Sequence, residues 1–509
     1  MCTSVNERAA HFCRPLVQFS CLAICLPFSG CSIGPRYVRP PVQTAPAYKE
    51  LAQPAARESE PWQRAKPSDS ADRGKWWTAF NDPKLNELEE RASVSNQQIA
   101  AEVDNFLAAR ALVRQARSQY FPTLTTDPSV MRILPSPAQF SGLQAGSSLP
   151  SGVSVKTYND FSLPFDASWG PDFWGRIGNN VKASAYAAQA SAADLESVRL
   201  GVQAELAVDY YELRAQDSLK ALFDSTVVAY QEDLDLTRSQ YKAGLSSDEA
   251  VAQAEAQLKG VQAQDTNLGI LRTQYEHAIA VLIGQSASAF SLPANDSEPD
   301  LPAIPVGIPS DLLERRPDIA SAERAMAQAN TEIGVARAAY FPAILLSATG
   351  GFGNSSISSW LTWPSRFWSV GPSLAETIFD AGLRKATVQQ YRATYDQTVA
   401  NYQQTVLTAF QQVEDNLASL RILGQDIDQQ NAATKAAARA LQEANIRYKA
   451  GLDPYLNVIT AQTALLNDQQ MAVTFRVERK VAEVGLIKAL GGGWNASQVP
   501  SARDVERGQ

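Results

Sequence analysis

Histidine and cysteine, the side chains most often used for nucleophilic and acid–base chemistry near neutral pH, are scarce in this 509-residue chain. Its only histidines are His11 and His277, and its five cysteines, Cys2, Cys13, Cys21, Cys25 and Cys31, all lie at or before residue 31. A chain beginning at Cys31 therefore has no internal disulfide and a single imidazole. Zinc sites built from several His or Cys ligands are excluded, as are Ser/His and Cys/His pairs not centred on His277, which reads as a solvated or partly buried helix residue. No metal and no catalytic residue is expected, and carboxylate chemistry is the enzymatic option left. Gly350-Gly351-Phe352-Gly353 has the glycine density of a phosphate loop but lacks the Lys-Ser/Thr that must follow, so it reads as a strand-end turn. With a net charge of −8 and no long basic run, no nucleic-acid partner is expected.

The position with the clearest chemistry is Cys31. Arg8 and Arg14 precede an apolar run from Leu16 to Phe28, too short to cross a bilayer as a helix, so residues 1–30 read as a signal peptide. The run ends Phe28-Ser29-Gly30-Cys31, similar to the bacterial lipoprotein box, with Phe28 where an aliphatic residue is usual. In such a box the cysteine receives S-diacylglycerol and, once it is the first residue, an N-palmitoyl chain; no other cofactor is expected. At about 0.8 kcal/mol per buried methylene, several acyl chains give lasting attachment to outer-membrane lipid. Ser32 is not the aspartate that favours retention in the inner membrane, which points to the outer membrane of a Gram-negative bacterium. An ordinary signal peptide with an incidental cysteine is the alternative. Pro35, Pro40, Pro41, Pro46, Pro54, Pro61 and Pro67 make residues 31–80 an extended tether lying along the body.

The elements that follow are written twice. Tyr241-Lys242-Ala243-Gly244-Leu245 recurs as Tyr448-Lys449-Ala450-Gly451-Leu452, and the same offset of 207 relates Leu213-Arg214 to Leu420-Arg421, Gly175 to Gly382 and Gly284 to Gly491. So long a period means two copies of an architectural unit. The first copy is expected over 81–290 and the second over 309–495, with a linker at 291–308 and a polar tail at 496–509. Each copy opens with a helix, Asp82 to Tyr120 and Ser310 to Tyr340, stopped by Tyr120-Phe121-Pro122 or Tyr340-Phe341-Pro342. Two strands come next. Phe161, Leu163, Phe165, Ala167 and Trp169 alternate with mostly polar residues, and Trp368, Val370, Pro372, Leu374 and Ile378 are expected on one face with Ser369, Gly371, Ser373, Ala375 and Thr377 on the other. Trp169, Trp174, Trp360, Trp363 and Trp368 lie in or beside these strands, as a membrane-interface girdle requires, although a small soluble sheet would show the same alternation. The Ser/Gly/Pro-rich stretch from Pro135 to Gly152 reads as an exposed loop.

Proline-free helices run from Gly175 to Gly244 and after Gly382, the second with a coiled-coil seam through Val399, Tyr402, Val406, Phe410 and Val413. Gly244 and Gly451 end them in a left-handed turn, with Leu245 and Leu452 expected to fold back on the last turn. Returning helices are expected to be capped by Ser246 with Glu249 and by Asp453 with Pro454.

Four strands per chain cannot close a barrel, and an open edge is not tolerated in a membrane, so several chains must share one. Two copies would give a filled eight-stranded barrel; three would give twelve strands and a lumen.

Trp76-Trp77, Phe80-Asn81-Asp82-Pro83, the run Pro309-Ser310-Asp311-Leu312-Leu313-Glu314-Arg315-Arg316-Pro317-Asp318-Ile319, Tyr340-Phe341-Pro342 and Ala489-Leu490-Gly491-Gly492-Gly493-Trp494 together resemble the TolC-like outer-membrane efflux channels, in the NodT/OprM-type lipoprotein branch. The resemblance spans roughly residues 31–495. It implies a mainly α fold with a membrane β-barrel: a homotrimer whose twelve-stranded barrel continues into a long periplasmic α-barrel. It implies an exit duct for drugs or small toxic compounds, coupled to a periplasmic membrane-fusion adaptor and an inner-membrane pump of the RND type. Carried over by position, adaptor hairpins would dock on Tyr241, Gly244, Leu245, Tyr448, Gly451 and Leu452, and Leu456 would form a periplasmic gate. Thr460 stands where relatives often carry aspartate, so a more hydrophobic gate is expected. A pore-less periplasmic coiled-coil scaffold is the alternative reading.

Overall fold

The computed structural model describes residues 33–41, 48–50, 73–134, 156–295, 312–494 and 496–507. The signal peptide, Cys31, the Pro135–Gly152 loop and most of the Pro-rich tether and the linker lie outside them. The first half runs α1 (Pro83–Ser95), α2 (Gln97–Ser118), β1 (Thr123–Thr126), β2 (Ser129–Ile133), β3 (Tyr158–Trp169), α3 (Arg176–Lys242) and α4 (Asp248–Leu282). The second runs α5 (Leu312–Arg315), α6 (Pro317–Ala338), β4 (Ala343–Asn354), β5 (Arg366–Ala375), α7 (Leu383–Lys449) and α8 (Tyr455–Ala489), and a short α9 (Ala502–Arg507) follows. The duplication is held to the residue: α3 and α7 are both 67 residues and α4 and α8 both 35, each pair related by the offset of 207. At 1.5 Å per residue the long helices measure about 100 Å. Gly175, Gly244, Gly284, Gly382, Gly451 and Gly491, the glycines matched between the copies, all have positive φ.

The opening helices are not continuous as expected. The first breaks at Asn96, after the 13 residues of α1, and the second at Arg316, after the 4 residues of α5. Asn96 accepts from Gln98 N and Ile99 N at 2.9 and 3.1 Å, capping α2, and donates to Leu282 O at 2.8 Å. Its counterpart Arg316 donates to Ala489 O (3.1 Å), Gln412 Oε1 (2.9 Å) and both oxygens of Asp318 (3.0 and 2.6 Å). In each copy the break thus satisfies a carbonyl that the returning helix leaves open at its end.

The chain divides into two compact units, each drawn from both copies. Of the described residues, one unit gathers those up to Tyr37 with those within Arg114–Ala183 and Ala329–Ala393. It holds a sheet in the order β1-β3-β4-β5, with β2 also paired to β3. Thr126 opposes Phe165 and Ser129 opposes Ser162, so β1 and β2 are one strand path in one register, interrupted at Asp127-Pro128 where proline offers no N–H. The Gly350-Gly351-Phe352-Gly353 cluster is not a turn. It lies within β4, where a Cβ on Gly351 would come 2.1 Å from Leu163 O, a contact that only glycine allows. Ile33 N donates to Trp174 O, and Asn179 and Asn330 donate to Ile33 O and Pro35 O, so this part of the tether does lie along its own unit.

The second unit holds the described residues within Val38–Val113, Ser184–Gln328 and Thr394–Gln509. Its main core packs Trp77, Phe80, Leu85, Leu88, Leu206, Tyr210 and Tyr211. The Phe-Asn-Asp-Pro motif builds one edge of it. Asn81 takes φ 50, and Asp82 caps α1 and accepts Tyr210 Oη at 2.7 Å. The duplicated Arg214 and Arg421 each fasten a residue from elsewhere in the chain, the first through Pro293 O (2.8 Å), the second through Glu50 Oε2 (2.7 Å). The tail expected to be merely polar packs as well: Val505 is buried with Val113 and Ala188, and Gln189 donates to Pro500 O.

Candidate functional site: the tip turns and the strand wall

The two pentapeptides form the same Schellman turn. Leu245 N bonds Gln240 O and Gly244 N bonds Tyr241 O; Leu452 N bonds Arg447 O and Gly451 N bonds Tyr448 O, all at 2.8–2.9 Å. The leucines do not fold back: Leu245 is 80% and Leu452 70% exposed. The C3 position of each turn is Gln240 or Arg447, which offers the leucine no apolar side chain there. Each turn therefore offers solvent a bare glycine face, with nothing within 4 Å of a Cβ on Gly244 or Gly451, topped by a leucine.

The caps also differ from expectation. Ser247, not Ser246, caps α4 by accepting from Ala250 N at 3.2 Å, while Glu249 bonds Gln253 instead. Pro454, not Asp453, stands at the N-cap of α8 and makes no side-chain bond. Asp453 is taken by Arg447 at 2.6 Å across the turn, and that hydrogen bond holds its carboxyl below the ordinary carboxylate range.

Identical residues meet different surroundings. Tyr241 is 46% exposed, whereas Tyr448 turns inward, donates to Gln240 Oε1 at 2.7 Å and stands 5.1 Å from the ring of Tyr455. Further links join the two helical hairpins: Gln462 to the Asp233 carboxylate and Gln257 Nε2 to Thr463 Oγ1 at 3.1 Å. Burial raises the Asp233 carboxyl against the lowering effect of Gln462. Beneath them Phe223, Tyr230, Leu234, Leu258, Tyr455, Val458 and Leu466 form one apolar cluster. Sequence reasoning missed Asp233, Gln240, Gln257, Arg447 and Gln462, because their pairing depends on how the hairpins meet.

Leu456 is half exposed on the first turn of α8. Thr460, also exposed, commits its hydroxyl hydrogen to Leu456 O at 2.9 Å. The exposed stripe continues through Thr463, Asn467, Met471 and Thr474 with no charged side chain before Glu478.

In the other unit the sheet has two unlike faces. Leu124, Val130, Phe161, Leu163, Phe165, Ala167, Trp169, Leu346, Ala348, Trp368, Val370 and Leu374 share one face by register. Thr123, Thr125, Asp166, Ser168, Ser347, Thr349, Ser369 and Ser373 share the other, where Thr349 Oγ1 donates to Asp166 Oδ1 at 2.6 Å. Large apolar residues lie open on the first face, among them Trp368, Val370, Leu374 and Leu124. A soluble sheet would bury that face; left open, it suits hydrocarbon.

Of the five tryptophans, Trp363 and Trp368 are well exposed, and the Arg366 guanidinium lies 4.0 Å from the ring of Trp363. Trp169 is partly open and donates to Tyr120 O at 2.9 Å. Trp174 and Trp360 are turned in: Trp174 stacks on Phe341 at 4.9 Å and donates to Pro342 O, and Trp360 packs on Phe161 and donates to Phe352 O. Exposed Phe121 and Phe379, at the strand ends, complete the aromatic set that tryptophan counting overlooked. Among the described residues no helix is long and apolar enough to cross a membrane.

The chain matches the family model for Outer membrane efflux protein over residues 88–285 and 308–492. It is 30% identical over 471 residues to the toluene efflux pump outer membrane protein TtgC of Pseudomonas putida, covering 91% of this chain and 93% of that one. It is 30% identical over 442 residues to the pyoverdine export outer membrane protein OpmQ of Pseudomonas aeruginosa, covering 86% and 91%. Among solved structures it superposes on the outer-membrane channel OprN with a TM-score of 0.79 at 30% identity, covering 91% of this chain and all of that one. An amphifacial strand wall, duplicated helical hairpins and these likenesses agree: the chain belongs to the outer membrane efflux protein family, with the TolC-like channel fold and an outer-membrane location.

Proposed function

We propose that this protein is the exit duct of a tripartite efflux pump, a homotrimer whose three sheets close one twelve-stranded barrel. The observation that carries this reading is the sheet, with one apolar open face, one hydroxyl-lined face and edges at β1–β2 and β5 that are unpaired among the described residues. A bilayer does not tolerate such edges, and twelve strands leave a lumen where eight would fill. A periplasmic membrane-fusion adaptor docks on Tyr241, Gly244, Leu245, Gly451 and Leu452, where exposed leucines on glycine turns offer apolar knobs without steric cover. Tyr448 belongs to the same turn but braces the hairpins. An RND-type inner-membrane pump delivers the cargo, and a lipid on Cys31 adds a second hold on the membrane. Trp169, Trp363 and Trp368 face the membrane interface.

Toluene and pyoverdine, in the names of two relatives, differ so widely that the duct is taken to select weakly and the pump to choose. Leu456 closes the resting duct, with Thr460 one turn beyond and no charge nearby on that stripe. Opening moves the second helical hairpin away from the first and breaks the Tyr448–Gln240, Gln462–Asp233 and Gln257–Thr463 bonds. Replacing Leu456→Ala is expected to raise the resting single-channel conductance in planar bilayers several-fold; an unchanged conductance removes Leu456 from the gate.

A further inference from the structure

The two faces of the sheet are sorted by charge as well as by polarity. Among the described residues, the only charged side chains that the register sets on the apolar face are Arg132, opposite Asn159, and Arg366, opposite Phe352. The other face carries Asp160 and Asp166 and no cation. Both arginines are exposed, and neither forms an ion pair among the described residues. Arg132 lies near the end of β2 and Arg366 opens β5, so both stand at the end of the sheet remote from the helices. From Leu374, at the helical end, to Arg366 the strand rises about 27 Å, which a tilt of about 40° turns into roughly 21 Å, close to the height of a membrane-facing apolar band. A cation is costly within hydrocarbon and tolerated at its margin, so place and sign together call for anions there. The turn between β4 and β5 is built over Arg366. Its guanidinium lies 4.0 Å from the Trp363 ring and donates to Trp363 O at 3.4 Å, which occupies one of its five N–H groups. Ser365 Oγ donates to Ser359 O at 2.7 Å, Asn354 Nδ2 donates to Ser365 Oγ at 2.6 Å, and Trp360 donates to Phe352 O while its ring packs on Phe161 of the apolar face. The turn is thus folded onto the apolar side and held there. It projects Ile357, Leu361 and Trp363, each at least 63% exposed, and it contains no acidic residue.

We propose that this end of the apolar face binds phosphate-bearing lipids of the outer leaflet: Arg366 and Arg132 each hold a headgroup phosphate, while Ile357, Leu361 and Trp363 lie among the acyl chains. This rests on the membrane-barrel reading above, in which the tip turns face the periplasm and this end of the sheet meets the opposite leaflet. A planar guanidinium presents paired N–H groups that match phosphate oxygens, and packing on Trp363 limits its motion before a lipid arrives. A zwitterionic headgroup would bring its own cation against the arginines. A soluble anion would leave the three apolar side chains in water. A lipid with an anionic phosphate headgroup satisfies both the charge and the apolar surface. β2 and β5 stand three strand spacings apart, about 14 Å, so the two phosphates are held separately. The turn is already fixed by its own hydrogen bonds, so binding costs little ordering.

The full-length protein, purified in mild detergent, is mixed with lipid A, a bisphosphorylated glycolipid, or with the same lipid stripped of its phosphates, and bound lipid is counted by native mass spectrometry. The expected result is several-fold greater retention of the phosphorylated form. Arg132→Gln combined with Arg366→Gln should remove that preference, and each alone should reduce it. Arg366→Lys, which keeps the charge but not the fork, should fall between Arg366→Gln and the unsubstituted protein. Arg238→Gln, on α3 in the other unit, should leave the preference unchanged. Equal retention of the two lipids, an undiminished preference in the double variant, or an equal loss in Arg238→Gln overturns the proposal. So does a double variant that loses its oligomer yet binds lipid as before, which assigns the arginines to contact between copies. A protein that conducts in planar bilayers without preferring the phosphorylated lipid overturns the lipid site and leaves the duct standing. One that neither conducts nor retains either lipid overturns both.

Discussion

Glu89 lies in α1 among Glu87, Glu90 and Arg91, in a run that reads as a solvated helix face, yet it is fully buried and neither carboxylate oxygen has a hydrogen-bond partner. Burial alone pushes its carboxyl well above the usual range. Glu483, buried on α8, is raised to about 7 by the same cause, although Arg479 and Lys480 act in the opposite direction. Both acids act on the buried Tyr211 phenol, and nothing in residue order announces that they share a neighbourhood. A carboxyl whose folded pKa exceeds its unfolded value binds more protons in the folded state. Its contribution is complete below the unfolded pKa and is lost as pH rises through the folded one. The denaturant midpoint is therefore expected to fall between about pH 5 and about pH 8. Glu483→Gln should flatten that slope; an equal slope in the variant assigns it to other groups.

At the scale of elements, glycines in one left-handed conformation do two different tasks. Gly451 has φ 71 with open space around it, so Gly451→Ala carries only the backbone term, about 1–2 kcal/mol. Gly491 has φ 94, and a Cβ there would lie 2.0 Å from Arg315 O, as one on Gly284 would lie 2.2 Å from Ser95 O. Gly491→Ala is expected to lose more than twice the stability lost by Gly451→Ala in chemical denaturation; equal losses would mean that the joint yields. Both glycines were legible as helix ends, since both are written twice. The joints they press against were not, because Asn96 and Arg316 share no side-chain chemistry. What they share is a position opposite the end of a returning helix. The displaced cap at Pro454 has a similar origin: at Asp453 a charged partner six residues away outcompetes the local backbone N–H groups.

For the molecule as a whole, the exposed leucines make docking separable from folding. Leu245→Asp with Leu452→Asp should abolish co-purification of the adaptor and restore drug susceptibility to a deletion level, while the thermal stability of the purified protein stays unchanged. Retained co-purification would place the adaptor elsewhere. Residue order by itself determined the two copies, the lengths of their long and returning helices, the glycine turns and the alternating strands. All of these follow from local rules: periodicity, proline and glycine conformations, and repetition. Only the tertiary structure decided which copy of an identical pentapeptide turns its tyrosine inward, where the opening helices break, which carboxyls are dry and which strand edges are left open. Those outcomes depend on what packs against a residue from far along the chain. Two sites with the same sequence have the same local preferences but not the same neighbours.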